Sequence, residues 1–111
     1  MALTPEAKVK LRVRQILDEF ATVDPVYYFF PPANGYGRQG IPDVIVCING
    51  KFLGIECKAG KGKTTTLQER EMAKIRAANG ATMVVNEDNL NKLVAYLILF
   101  KNNHEHNHHR L

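Results

Sequence analysis

Apolar residues recur at helical spacing near the start of the chain, where Val9, Val13, Ile16, Leu17 and Phe20 share one face. Thr4-Pro5-Glu6 ahead of them supplies an N-cap residue, a proline at the first helical position and a first-turn acid. The pattern predicts a helix from about Pro5 to Ala21, with Glu6 on the Val9 and Val13 stripe and Lys8, Lys10, Arg12 and Arg14 around the rest of the cylinder. Val26 to Phe30 is β-branched and aromatic, stops at Pro31-Pro32 and reads as a strand. The runs Asp43 to Ile48 and Lys51 to Lys58 flank Asn49-Gly50, the dipeptide best suited to a two-residue type I′ turn, and so predict a hairpin. Val44 to Ile48 and Phe52 to Ile55 are almost continuously apolar, which implies strands covered on both faces.

Further on, Thr66-Leu67-Gln68-Glu69 spells a capping box and opens a helix expected to reach Asn79, where Gly80 stops it, with Gln68, Met72, Ile75 and Asn79 on the buried face. Ala81 to Val85 reads as a strand, and Leu90, Leu93, Val94 and Leu97 mark a last helix ending near Lys101. The expected order is α-β-β-β-α-β-α without internal repeats. Tyr96 to Phe100 is apolar throughout, so periodicity leaves two fates open for this helix: clamped between the sheet and the first helix, or shared with a second copy of the chain.

Composition narrows the chemistry. The chain has 111 residues, enough for one domain, read as 1–101, followed by a polar His-rich tail, 102–111, expected to be disordered. It contains no Ser, and its 4 His all lie in that tail, so catalysis inside the folded body must come from carboxylates, Lys, Tyr or Cys. His104 and His108 could bind a transition metal, although a frayed terminus accounts for them more simply. Lys and Arg number 15 against 11 Asp and Glu, a mild excess that favours an anionic partner. The apolar runs are too short to span a bilayer and the start lacks the pattern of a secretory signal, so a cytoplasmic protein without membrane contact is expected. Cys47 and Cys57 form no CxxC and read as small buried or half-buried side chains. Gly60-Lys61-Gly62-Lys63-Thr64 lacks the spacing of a phosphate loop, which argues against a nucleotide cofactor.

The hairpin concentrates charge. With Asn49-Gly50 as the turn, paired positions place Asp43 opposite Glu56, and Lys58 falls on the same face two residues on. Facing carboxylates repel unless something positive lies between them. A divalent cation can fill that role, and an ordinary ion pair with Lys58 would relieve the repulsion in another way.

Pro42-Asp43 followed by Glu56-Cys57-Lys58 resembles the PD-(D/E)xK signature of the restriction-endonuclease-like nucleases, with the Asp at the start of one strand and the ExK at the end of its partner. Gly40-Ile41-Pro42-Asp43, the hairpin, Glu56-Cys57-Lys58-Ala59, the Gly/Lys loop and Leu67-Gln68 are more closely similar to the VRR-NUC (virus-type replication and repair nuclease) domain, from about Thr4 to Val85. The resemblance implies an α/β fold with a restriction-endonuclease-like αβββαβ core, a mixed sheet flanked by helices, and one further C-terminal helix. It implies that Asp43, Glu56 and the backbone carbonyl of Cys57 ligate Mg²⁺ or Mn²⁺, with Glu6, the first-helix acid, ligating through a water. Lys58 is then the catalytic lysine and Gln68 the polar residue beside the site. From the residues alone, Glu6 reads first as a first-turn acid complementing the helix dipole, and Gln68 equally sits beside the capping box.

Arg38 and Tyr36 before the site, with Lys61 and Lys63 after it, are candidates for contacts to DNA phosphates. The activity implied is a metal-dependent, structure-selective DNA endonuclease of phage or bacterial type, resolving four-way (Holliday) junctions as a homodimer in recombination or repair. A flap or general nuclease of the same superfamily, and a non-catalytic DNA-binding module, are the alternatives.

Overall fold

The computed structural model describes residues 2–32 and 38–101. Tyr36 and the tail with His104 and His108 lie outside the described residues. Three helices and four strands follow in the order α1 (Pro5–Ala21), β1 (Val26–Phe29), β2 (Val44–Ile48), β3 (Lys51–Cys57), α2 (Thr66–Ala77), β4 (Ala81–Val85) and α3 (Leu90–Lys101). They form a mixed α/β structure around one four-stranded sheet ordered β1-β2-β3-β4, in which only the β3–β4 pair is parallel.

Local chemistry accounts for most boundaries. The Thr4 hydroxyl accepts from the Ala7 N–H and caps α1. At the hairpin turn Asn49 and Gly50 have φ values of 52° and 83°, which pair Ile48 with Lys51 and Val44 with Ile55. The cap of α2 differs from expectation by one residue: the box is Thr65 with Gln68, not Thr66 with Glu69. Three consecutive threonines, Thr64 to Thr66, offer overlapping boxes, and Glu69 is instead taken by the Thr64 hydroxyl. The other end also shifts, since α2 stops at Ala77 and Asn79 takes the left-handed conformation, φ 69°. The Gly80 N–H bonds the Ile75 carbonyl at 2.8 Å, closing the helix end. Gly80 is required for room, because a Cβ there would lie 2.7 Å from Ile75 Cγ2.

The core lies between one face of the sheet and the pair α1, α3. Val9, Val13 and Leu17 of α1 and Leu93 and Leu97 of α3 close on Val44, Val46, Ile48, Leu53 and Ile55, all essentially without solvent contact. Each such side chain contributes about 1.5–3 kcal/mol of hydrophobic stabilisation. The last helix is therefore clamped against the sheet through Leu93, Leu97 and Phe100, while Ile98 and Leu99 stay exposed.

The second sheet face is covered only in part, which corrects the expectation for β2 and β3. Helix α2 lies over β3 and β4, burying Met72 and bringing Ile75 against Gly54. It leaves open the outward row of Tyr27, Cys47 and Phe52, neighbours across β1, β2 and β3. Cys47 is thus exposed rather than buried, and Asn79 and Gln68 are not core residues of α2.

The segment ahead of β2 is docked on the start of α2. Gly40 has φ 85°, and a Cβ there would fall 2.4 Å from the Leu67 carbonyl oxygen and 2.9 Å from the Gln68 nitrogen. Backbone packs on backbone at this point, and Pro42 beyond it is buried against Gly54. Gly40→Ala is expected to cost roughly 3 kcal/mol, from the left-handed φ and the clash together, lowering Tm by on the order of 10–15 °C in a thermal melt. An unchanged Tm would mean that this loop can leave α2 at no cost.

Candidate active site

The hairpin, α2 and α1 each contribute polar groups to one place at the end of β3. Asp43 stands just outside the β2–β3 ladder, whose last pair is Val44 with Ile55. The ladder keeps the predicted register but stops one pair short of Asp43 and Glu56, whose carboxyl groups nonetheless lie close enough to act on each other. Asp43 Oδ2 accepts the Cys57 N–H at 2.8 Å, so the side chain caps the partner strand one residue further on. In an extended strand a residue's N–H and C=O lie on the same side, so the Cys57 carbonyl also opens toward Asp43.

Glu56 is only 2% exposed, on the face of β3 that α2 covers. Its Oε2 accepts from Gln68 Nε2 at 2.8 Å and has Lys58 Nζ 3.7 Å away. Its Oε1 is buried and has no hydrogen-bond partner. Gln68 therefore serves both roles open in the sequence: its Oε1 accepts the Thr65 N–H at 2.8 Å as part of the cap, and its amide nitrogen holds Glu56. Helix α2 thus fixes the carboxylate through its own N-terminal cap.

Burial, with the Asp43 carboxylate close by, pushes the Glu56 carboxyl up from 4.5 to about 8, Lys58 pulling the other way. Burial and the same carboxylates push the Cys57 thiol up to about 12. Cys57 points into the core beneath β3, opposite Glu56, and has no nucleophilic part to play.

From α1, Glu6 reaches the site indirectly. Lys10, one turn on, places Nζ 3.5 Å from Glu6 Oε2 and 3.6 Å from Asp43 Oδ1. Burial opposes its charge, but Asp43 and Glu6 outweigh that and raise its pKa. Lys10, off the apolar stripe as expected, is half-buried and joins α1 to the site, a role the sequence analysis did not assign to it. Its spacing of four from Glu6 was the available signal.

The loop residues divide. Lys61 and Lys63 are exposed after β3, in a loop pinned where the Gly60 N–H donates to both carboxylate oxygens of Glu87. Arg38 pairs with Glu71 Oε1 at 3.3 Å, and Lys74 pairs with Glu71 Oε2 at 3.2 Å. Glu71 lies on the buried face of α2 and was not singled out from sequence, where it looks like one more surface charge on the helix.

A hard cation would find oxygen donors of the right kind here. Two carboxylates and a carbonyl approach one another, and the unpartnered Oε1 of buried Glu56 is a group that a divalent ion would satisfy. Among the described residues no three His, Cys, Asp or Glu side chains converge, so Asp43 and Glu56 would leave several positions to water, as Mg²⁺ prefers.

Comparison with known proteins adds one relative. Over 69 residues, 61% of this chain and 70% of the other, the sequence is 36% identical to a protein of Acyrthosiphon pisum secondary endosymbiont phage 1 named "Putative nuclease p44". The chain belongs to the same family as p44. No family model matches this p44-family chain, and no solved structure matches it significantly. No helix among its described residues is long and apolar enough to cross a membrane.

The buried carboxylate gives a pH signature. A carboxyl whose folded pKa lies above its unfolded value keeps its proton in the fold after the unfolded chain has released it, so stability falls as pH rises between about 4.5 and 8. Glu56→Gln should raise the Tm of the metal-free protein at pH 8.5 and change it little at pH 5. Melts in EDTA at the two pH values check this, and equal shifts at both would show that Glu56 does not titrate in that window.

Proposed function

We propose that this chain is a metal-dependent DNA endonuclease, with Asp43, Glu56 and Lys58 as its centre and Mg²⁺ or Mn²⁺ as cofactor. The observation that carries the reading is the Glu56 carboxylate, buried beside Asp43 and Lys58 with one oxygen held by Gln68 and the other unpartnered. Burying such a group costs free energy, and a catalytic centre is where that cost has a use. The nuclease name of the p44 relative supports the same activity. The resemblance to the PD-(D/E)xK signature, and within it to VRR-NUC domains, agrees with these residues and with a restriction-endonuclease-like core.

In this reading Asp43 Oδ1, Glu56 Oε1 and the Cys57 carbonyl hold the cation. When bound, it would polarise a phosphodiester and ease deprotonation of water. The protein's own groups set the geometry. Gln68 keeps Glu56 from turning, and the Cys57 N–H does the same for Asp43. Lys58, its side chain 14% exposed, presents an ammonium beside Glu56 that can orient the attacking water or balance charge growing on the phosphate oxygens. Water oxygen forms a bond to phosphorus as the bond to one sugar oxygen breaks; the attacking water gives its proton to solvent or a neighbouring base, and the leaving sugar oxygen takes one up from solvent to become a hydroxyl. Glu6 acts from a distance, through a water.

Exposed Lys61 and Lys63, together with Arg38 and with Tyr36 two residues before it in the sequence, are proposed to contact DNA phosphates without reading sequence. Arg38 does this less freely than the lysines, being paired with Glu71. Exposed Tyr27 and Phe29 on the edge strand β1, and Ile98 and Leu99 on α3, are apolar surface that a homodimer would cover. Two copies related by a two-fold axis would supply the paired nicks that resolve a four-way junction.

Asp43→Asn, Glu56→Gln and Lys58→Met are each expected to lower cleavage by at least about a hundredfold, while DNA affinity stays within a few-fold, because these groups act on the transition state. Cleavage of duplex, single-strand, flap and four-way junction DNA with Mg²⁺, Mn²⁺ or EDTA tests this. Full cleavage by Glu56→Gln, or cleavage in EDTA, would refute the metal-dependent reading. In sedimentation, a dimer at micromolar concentration together with symmetric nicks on the junction is expected, and a monomer cutting flaps would remove the resolvase part alone.

A further inference from the structure

The ammonium paired with Asp43 is that of Lys10. Of the two Asp43 oxygens, Oδ2 is committed to the Cys57 N–H, so Oδ1 is the one left to meet a cation, and it faces Lys10 Nζ at 3.6 Å. The same ammonium is 3.5 Å from Glu6 Oε2. Both separations exceed a tight charged hydrogen bond, and the Lys10 side chain is 37% exposed, so the contact is one that solvent already weakens.

Formal charge points the same way. With Glu56 ionised, as a ligating carboxylate is, Asp43, Glu56 and Glu6 bring three negative charges, and Lys10 and Lys58 two positive ones. A divalent cation added to all five would leave the cluster with net positive charge, and withdrawal of one ammonium restores balance. Lys58 is the less free to withdraw, since it projects from β3 beside buried Glu56 and is only 14% exposed. Lys10 sits on a helix surface with a long flexible stem and can turn to solvent without moving backbone.

We propose that Lys10 is a built-in competitor for the divalent cation: its ammonium neutralises Asp43 and Glu6 in the metal-free protein and leaves Asp43 when the cation binds. The inference rests on the metal-site reading above and adds to it a residue that sets the affinity. It makes Lys10 a positioning residue of the empty state and an antagonist of the loaded one. A permanent strut between α1 and the site would behave in the opposite way, since its loss would loosen Asp43 and weaken binding.

Mn²⁺ binding to the full chain, followed by titration calorimetry and by the paramagnetic signal of free Mn²⁺, separates the two. Lys10→Gln should bind Mn²⁺ roughly five-fold tighter than the unsubstituted protein, through loss of one competing charge. Lys10→Arg should stay near the original affinity. Lys8→Gln, which removes the same formal charge from the exposed side of α1, should also leave it unchanged. Unchanged or weaker binding by Lys10→Gln, with a normal melt, overturns the proposal, as does an equal gain in Lys8→Gln. Asp43→Asn tells that failure from failure of the metal site itself: if it binds Mn²⁺ as well as the unsubstituted protein does, the site lies elsewhere and both readings fall.

Discussion

The grip of Gln68 on Glu56 is the interaction around which the rest of this structure is arranged. A carboxylate 2% exposed under a helix is tolerable only where its oxygens are answered, and one of them is answered by an amide that also caps that helix. The position of α2 along the sheet is therefore tied to the orientation of Glu56. Gly40 enforces the same alignment from the other side, because its backbone fits against the Leu67–Gln68 peptide only if α2 begins where the cap puts it. Asp43, three residues beyond Gly40, reaches the Cys57 N–H from there.

Electrostatics and stability pull against each other at this place. The large apolar cluster between the sheet, α1 and α3 can carry an unfavourable group on the far face of β3, and it carries one in Glu56. A neutral side chain there would serve the fold better. Stored cost of this kind is common where a protein needs a reactive group held ready.

Much of this was legible in the sequence, for reasons that differ by element. Helix α1 has its cap, proline and stripe in unambiguous order, so both ends are found. Asn49-Gly50 fixes the β2–β3 register, and from the register alone Asp43, Glu56 and Lys58 come together. Ambiguity entered wherever two local choices were nearly equal. Thr64 to Thr66 permits two capping boxes, Asn79 and Gly80 are both able to end a helix, and continuous apolar runs do not reveal how far α2 extends across the sheet. Lys10 and Glu71 were missed because each depends on a partner far away in the chain, Asp43 and Arg38 respectively. A charged residue on an amphipathic helix reads as surface until its partner is known.

The hairpin and its short connection to α2 also bear on how the protein reaches its native state. Asp43 and Cys57 are 14 residues apart, and Glu56 and Gln68 only 12, so the two contacts that define the carboxylate geometry close small loops. Such closures are fast and cost little chain entropy compared with bringing in α1 or docking β4 in parallel. The stretch from Asp43 to Gln68 behaves in this sense as a nearly self-contained unit of low contact order. The first helix, arriving from far along the chain, adds core contacts and the Glu6–Lys10 pair to a carboxylate arrangement whose form is written in the residues that follow one another.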